Sequence, residues 1–158
     1  MVSQEDIKLV QESWEKVKPI APTAAEIFYA RLFELDPEAK ALFTGDMGEQ
    51  GIKLMNMITV AVDNLNSLDT IVEALQASGR RHVDWGVKDS QYATVGAAFL
   101  DTLDKGLGEA FTPEVKSAWT NVYGVLSSTM IDAAEEYRQW LAKDKEPESK
   151  GLFGKIFG

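Results

Sequence analysis

Gly79-Arg80-Arg81-His82-Val83-Asp84-Trp85-Gly86 contains the only histidine of the chain. The chain has 158 residues and no cysteine, so a metal ion that needs a nitrogen or sulfur ligand has one candidate, His82. A structural zinc site is excluded, because such sites need several cysteine or histidine ligands. Haem supplies four nitrogens of its own and asks the protein for one axial ligand, so a single histidine is compatible with that cofactor.

Composition limits the classes of function. Hydrophobic residues make up 45% of the chain and charged residues 26%, which is typical of a globular protein of one domain. The net charge of −9 argues against a nucleic-acid partner, which would need a basic face. The acidic start, residues 1–6, lacks the pattern of a secretory signal, and no apolar run approaches the roughly 20 residues of a transmembrane segment. We therefore expect a cytoplasmic protein.

Apolar residues recur at spacings of three and four, which predicts an all-α protein. The first helix starts after Ser3, and Pro19 and Pro22 are expected to end it. The second helix is expected to open near Thr23 and the third between 48 and 50. The predicted inner face of the third helix consists of Leu54, Met57, Ile58, Ala61 and Leu65.

The second half of the chain has clearer boundaries. Residues 68–85 predict one or two short helices closed by Gly86, and residues 89–107 predict a long one. Thr112 followed by Pro113 is a strong helix start, because threonine caps the first turn and proline suits its first position. This last helix, the longest, is predicted to run to about Leu141.

The composition changes after Ala142. Residues 143–151 are charged and contain a proline, which predicts a flexible linker, and residues 152–158 are apolar again. We therefore expect one domain over 1–142 and a tail over 143–158. The apolar residues of the tail would form one face of a short amphipathic helix: Leu152, Phe153, Ile156 and Phe157. Such a tail either collapses on the protein surface or binds a partner or a membrane.

Several stretches together resemble the globin family, in the order and spacing of a globin from about residue 2 to residue 137. The chain is similar to bacterial single-domain globins, to the globin domain of flavohaemoglobins and to the neuroglobins. The resemblance implies a globin fold of about seven or eight helices around a haem pocket. It rests on residues 28–37, Leu42-Phe43, residues 79–87, 92–96, 107–113, Ala118-Trp119 and Tyr123-Gly124.

The resemblance also implies roles for individual residues. His82 matches the proximal ligand of haem b (iron protoporphyrin IX), and Phe43 matches the phenylalanine that packs flat on the haem. Gln50 matches the distal polar position, with Leu54 one turn further along the same helix face. Tyr29 matches a position that faces the bound gas in many bacterial globins. On their own, Tyr29 and Phe43 would be read as core residues and Gln50 as an exposed helix-start residue.

Three further residues enter the expected site. Lys53 and Arg81 could meet the haem propionates, although both could equally be solvated charges, and a lysine in this position can in rare cases bind the iron. Tyr92 matches a tyrosine that, with a glutamate, holds the proximal histidine in flavohaemoglobins. The glutamate's register falls on Ala134, so we expect the electron push of that arrangement to be missing.

The resemblance implies reversible binding of dioxygen, and possible binding of nitric oxide or carbon monoxide. Tyr29 and Gln50 can both donate hydrogen bonds to a bound gas, so we expect tight binding and slow release. We expect a gas-binding protein rather than an enzyme. The alternatives are nitric oxide detoxification with an external reductase and haem-based gas sensing.

Overall fold

The computed structural model describes residues 2–146, with side chains up to residue 143. Over this range the protein is all-α, as predicted, with six α-helices and four short 3₁₀ helices. The α-helices are α1 (Gln4–Val17), α2 (Ala21–Leu35), α3 (Met47–Asp63), α4 (Val72–Asp84), α5 (Asp89–Leu107) and α6 (Pro113–Glu146). The 3₁₀ helices are Lys18–Ile20, Pro37–Leu42, Leu65–Thr70 and Gly108–Ala110. No helix within the described range is long and apolar enough to cross a membrane.

The helix starts follow the local chemistry of their caps. Ser3 and Asp6 form a reciprocal capping box on α1, because each side chain accepts a hydrogen bond from the other residue's backbone N–H. At α6 the Thr112 hydroxyl accepts the N–H of Val115, at 3.2 Å, as the sequence predicts. Pro22 does not end a helix; it lies in the first turn of α2, where a missing N–H costs nothing.

The last helix is longer than predicted. α6 continues to Glu146, five residues beyond the expected end at Leu141, and therefore past the expected boundary after Ala142. Lysine and glutamate are good helix formers, so the charged residues after Ala142 extend the helix. The apolar cluster at 152–157 lies outside the described residues.

The core is built around an aromatic cluster that joins four helices. Trp14 of α1 lies against Trp119 of α6 and Phe99 of α5, with ring centroids 5.7 and 6.1 Å away. The Trp119 Nε1 donates to the Ser13 hydroxyl at 2.8 Å, and the Trp14 Nε1 donates to the Thr59 hydroxyl of α3 at 2.9 Å. Both buried indole N–H groups are therefore satisfied, which fixes how these helices are oriented.

Two helices on the other side of the molecule pack on different neighbours. α3 packs mainly on α2 and α1, whereas α4 packs mainly on α6, and α3 and α4 make little contact with each other. α3 buries Met55 and Val62 against its neighbours. Met57 is 50% exposed, so no neighbouring helix covers this member of the predicted inner face. Two residues correspond to a rotation of about 200°, which takes Met57 to the side of α3 away from Met55.

The remaining residues of the predicted α3 face have a graded burial. Ala61 and Leu65 are buried, and Leu54 and Ile58 are half-buried. Together with Met57 they form an apolar stripe. The other described residues bury only part of this stripe. α3 therefore presents apolar surface where no other helix packs extensively.

Candidate functional site

His82 lies in the last turn of α4, as predicted, and its ring is oriented by the backbone. Its Nδ1 is 2.6 Å from the carbonyl oxygen of Ser78, one turn earlier. A carbonyl oxygen can only accept, so Nδ1 carries the proton and Nε2 keeps its lone pair. Burial lowers the pKa of His82 and the nearby Arg81 charge adds to this, while the bond to Ser78 opposes it. The side chain is thereby held neutral, the form that binds a metal ion.

Two aromatic rings flank the imidazole. The Trp85 ring centroid is 4.9 Å from that of His82, and the Tyr92 ring centroid is 5.9 Å away on α5. Tyr92 is buried, but its hydroxyl has no hydrogen-bond partner among residues 2–146. The Tyr123 hydroxyl donates to the backbone carbonyl of Tyr92 at 2.6 Å. The structure therefore brings His82 and Tyr92 together, and holds the backbone of Tyr92 from α6.

The position of His82 depends on how closely α4 approaches α6. Gly79 has no Cβ, and a Cβ there would collide with the backbone carbonyl of Met130. Gly86 closes α4 with a φ of +87°, a conformation that favours glycine. A Cβ on Gly86 would lie 3.9 Å from Leu42, the residue before Phe43. The end of α4 is thus adjacent to the segment that carries Phe43.

Tyr29 and Phe43 form a second cluster with Phe33. The ring centroids of Tyr29 and Phe43 are 5.3 Å apart, and each is within 6.1 Å of Phe33. Tyr29 is 8% exposed, and burial raises the pKa of its phenol. α3 meets this cluster at Gly51, where a Cβ would lie 2.9 Å from the Ala25 Cβ. The close helix contact brings the start of α3 beside Tyr29.

The amide of Gln50 is already engaged on one side. Its Nε2 donates to the carbonyl oxygen of Thr44 at 2.9 Å, across the loop that Gly45 turns with a φ of +107°. Gln50 is half-buried. A primary amide carries two N–H hydrogens, so one remains for another acceptor. The hydrogen bond to Thr44 therefore fixes the orientation of the Gln50 amide, the predicted distal group.

The other predicted residues lie at the edge of the site. Lys53 and Arg81 are exposed, and Leu54 is half-buried on the apolar stripe of α3. The structure links His82 with Tyr92 and Tyr29 with Phe43, and the end of α4 at Gly86 lies near Leu42, the residue before Phe43. Sequence reasoning missed the partners Ser78, Trp85, Phe33, Thr44 and Tyr123. Ser78 and Trp85 could have been found, because they lie four residues before and three after His82 on one helix.

The flavohaemoglobin-like arrangement on the proximal side is not formed among the described residues. Ala134 is 1% exposed, so a small apolar residue is packed at the expected glutamate position. The neighbouring Glu135 is exposed and accepts hydrogen bonds from Arg138, at 3.3 Å, and from Gln139, at 3.2 Å.

These features fit a haem group. A neutral imidazole with a free Nε2 is a suitable axial ligand, and the apolar stripe on α3 would face an apolar macrocycle. α3 carries the apolar stripe and α4 carries His82, and these two helices make little contact with each other.

The sequence profile of the globin family matches residues 26–130. Neuroglobin of Dissostichus mawsoni is 33% identical over 143 residues, which cover 82% of this chain and 90% of the relative. Neuroglobin of Danio rerio is 32% identical over 162 residues, which cover 94% of this chain and 98% of the relative. The chain belongs to the globin family. The predicted globin fold is therefore confirmed, and membership of this family implies haem binding.

Solved structures show the same globin fold. A bacterial globin from Campylobacter jejuni is 25% identical, with a TM-score of 0.77 over 87% of this chain and 99% of that chain. An engineered carbene transferase, described as a putative nitric oxide dioxygenase from Rhodothermus marinus, has a TM-score of 0.82 at 21% identity. It covers 90% of this globin and 99% of its own chain, and at that identity it shows the fold alone.

Proposed function

We propose that this globin reversibly binds dioxygen and other diatomic gases on a haem b whose iron is held by His82. The observation that carries the proposal is the 2.6 Å contact between the His82 Nδ1 and the Ser78 carbonyl, which leaves Nε2 free. Haem would supply a ferrous iron that binds the gas. The residues of the chain hold the cofactor, exclude water and donate hydrogen bonds to the ligand.

On the proximal side, the chain supplies a neutral, oriented imidazole. The Ser78 carbonyl fixes the tautomer, and the hydrogen bond that it accepts from the Nδ1–H makes Nε2 a stronger base. A neutral backbone acceptor raises the basicity of Nε2 less than a carboxylate would. Tyr92 supports the ring from one side and Trp85 from the other.

On the distal side, the proposal assigns the hydrogen-bond donors to Tyr29 and Gln50. Burial keeps the Tyr29 phenol protonated, so that it can donate. The Gln50 amide keeps one N–H beyond its bond to Thr44. A net hydrogen bond contributes about 1 kcal/mol, and more when the acceptor carries charge, so two donors would slow release by one to two orders of magnitude.

The proximal geometry favours gas binding over nitric oxide oxidation with an external reductase. The Glu135 carboxylate accepts hydrogen bonds from Arg138 and Gln139, and the Tyr92 hydroxyl has no partner among residues 2–146. His82 is therefore oriented by a neutral carbonyl and not by a carboxylate. Nitric oxide consumption with an added reductase remains the measurement that separates the two functions.

Absorption spectroscopy of the haem-loaded protein tests the proposal. We expect a five-coordinate ferrous spectrum that changes to a stable, reversible form on addition of oxygen. The His82→Gly variant should lose this spectrum and regain it when free imidazole is added. An unchanged spectrum in His82→Gly, or a protein that takes up no haem, would refute the assignment. A six-coordinate ferrous spectrum without added ligand would point to Lys53 or Tyr29 on the iron.

A further inference from the structure

Three aromatic side chains form an exposed surface beside His82. We call Trp85, Tyr137 and Trp140 the aromatic patch. Trp85 is 56% exposed and Trp140 is 57% exposed, although each could bury a large apolar area. The rings of Tyr137 and Trp140 are stacked, with centroids 6.0 Å apart and an interplanar angle of 13°. The half-buried Tyr137 and the exposed Trp140 thus form one stacked pair, and Trp85 is the third ring of the patch.

The aromatic patch spans the ends of α4 and α6. The Tyr137 hydroxyl donates to the Asp84 carboxylate at 2.9 Å, and Asp84 directly precedes Trp85. Trp140 lies three residues after Tyr137, on the same side of α6. Because the Trp85 ring also contacts His82, whatever covers the patch shields the proximal histidine.

We propose that residues 152–157 of the same chain fold back and cover the aromatic patch. The segment lies outside the described residues, and its sequence is Leu152-Phe153-Gly154-Lys155-Ile156-Phe157. Its four apolar residues have the spacing of one face of a short helix, which would match a flat aromatic surface. The chain therefore contains both an exposed aromatic surface and an apolar segment without another assigned role.

The position of the patch suits a segment that follows α6. Trp140 precedes the end of α6, at Glu146, by six residues, or roughly 9 Å of helix. Residues 147–151 can span up to about 17 Å when extended, which is enough to return to Trp140. Pro147 favours departure of the chain from the helix axis at this point.

The charges around the aromatic patch are compatible with this occupant. Residues 150–158 contain Lys150 and Lys155 and no acidic residue. The patch is bordered by Asp84 and by Glu136, which is exposed and one turn before Trp140. The opposing charges are Arg80 and the exposed Lys143, which lies one turn after Trp140. The hydrogen bond to Asp84 raises the pKa of Tyr137, and the Arg80 charge opposes this shift only in part. A second copy is a poorer occupant, because two chains of net charge −9 repel each other.

Tethering reduces the affinity that the contact needs. A short flexible linker gives an effective concentration on the order of 1 mM, so a contact with an intrinsic Kd of roughly 0.1 mM would be formed about nine-tenths of the time. Burial of a few apolar side chains is sufficient for a contact of this strength.

Fluorine NMR with 5-fluorotryptophan tests the proposal in the haem-loaded full chain, under carbon monoxide to keep the iron diamagnetic. Trp85→Phe and Trp140→Phe assign their own resonances, while the buried Trp14 and Trp119 serve as internal references. The measured quantity is the solvent isotope shift, the difference in fluorine chemical shift between H2O and D2O. We expect this shift to rise for Trp140 and Trp85, toward that of an exposed indole, when residues 147–158 are deleted. The double change Phe153→Asp and Phe157→Asp should have the same effect. The Ser149→Asp variant is the matched control and should behave like the full chain.

Each other outcome overturns the proposal. Equal isotope shifts in the full and truncated chains would show that the segment does not cover the patch. If the shielding of Trp85 and Trp140 from solvent disappears on dilution, the occupant is a second copy of the chain. If this shielding is seen only with anionic lipid vesicles, the patch binds a membrane. The isotope shift does not depend on gas binding, so this test of the tail and the test of the proposed function can have different outcomes. An unchanged absorption spectrum after the deletion would confirm that the haem site is intact.

Discussion

The His82 Nδ1 lies 2.6 Å from the carbonyl oxygen of Ser78, so the backbone of α4 itself orients the imidazole. A backbone acceptor cannot be removed by a side-chain substitution. The orientation of His82 therefore depends on where α4 lies, and α4 is held mainly by α6. The point of closest approach is Gly79 against the Met130 carbonyl.

We predict that Gly79→Ala destabilises the protein by about 1–3 kcal/mol, the usual cost of overpacking. The added Cβ would collide with backbone and not with a flexible side chain, so α4 must move and His82 with it. Urea unfolding of the haem-free protein gives the stability, and transfer of haem to an acceptor protein gives the dissociation rate, which should rise.

Gly124→Ala is the matched control on α6. A Cβ on Gly124 meets no atom within 4 Å, so this change should stabilise the helix by about 0.5–1 kcal/mol. Its haem dissociation rate should not change. If Gly79→Ala were as stable as Gly124→Ala, close packing of α4 on α6 would not be what positions His82.

A second prediction concerns two tyrosines that differ in their hydrogen bonds. The Tyr92 hydroxyl is buried with no partner among residues 2–146, whereas the Tyr123 hydroxyl donates to the Tyr92 carbonyl at 2.6 Å. Tyr92→Phe removes an unsatisfied group and should leave the free energy of unfolding unchanged or raise it by about 1 kcal/mol. Tyr123→Phe removes this hydrogen bond and should cost about 0.5–1.5 kcal/mol.

Urea unfolding of both variants without haem checks this pair. A loss of more than about 1 kcal/mol in Tyr92→Phe would mean that its hydroxyl has a partner, such as an ordered water. The haem-loaded form adds a second comparison. If the Tyr92 hydroxyl helps to hold His82, the iron–histidine stretching frequency should shift in Tyr92→Phe.

The sequence predicted the features that depend on local chemistry. Ser3, Thr112 and Gly86 act at helix ends as expected, because a cap needs only its own and adjacent residues. The place of His82 in the last turn of α4 follows for the same reason. The pairing of His82 with Tyr92 required the resemblance to globins, since the two residues lie on different helices.

What could not be predicted depends on contacts between distant segments. Met55 and not Met57 is buried, because α3 turns its Met55 side toward α2 and α1. Helical periodicity shows which residues share a face of a helix, but it does not show which face a neighbouring helix covers. The bond from Gln50 to the Thr44 carbonyl depends on the left-handed turn at Gly45, which the sequence does not specify.

A third prediction tests the two distal donors. Tyr29→Phe and Gln50→Leu should each speed oxygen release about tenfold, which corresponds to roughly 1.4 kcal/mol per donor. Laser photolysis or stopped-flow mixing gives the rates. Glu49→Gln is the control, because Glu49 is exposed beside Gln50 and should not change the rate.

The rates of these variants also separate the two donors. Gln50 already donates to Thr44, so its effect could be the smaller of the two. Unchanged release in both Tyr29→Phe and Gln50→Leu would exclude them as donors, and the slow-release proposal would then be wrong.

The last prediction uses the ionisation of Tyr29. Burial raises the pKa of this phenol above its ordinary value of 10.0. The phenol is neutral, and able to donate, at every pH below its pKa, so a raised pKa extends the donor form to higher pH. Oxygen release should therefore be independent of pH between 7 and 10, the ordinary pKa. It should accelerate only at a higher pH, where the phenolate can no longer donate. Tyr29→Phe should lack this alkaline acceleration. A rise in the release rate with a midpoint at or below pH 10, shared by Tyr29→Phe, would assign the titration to another group.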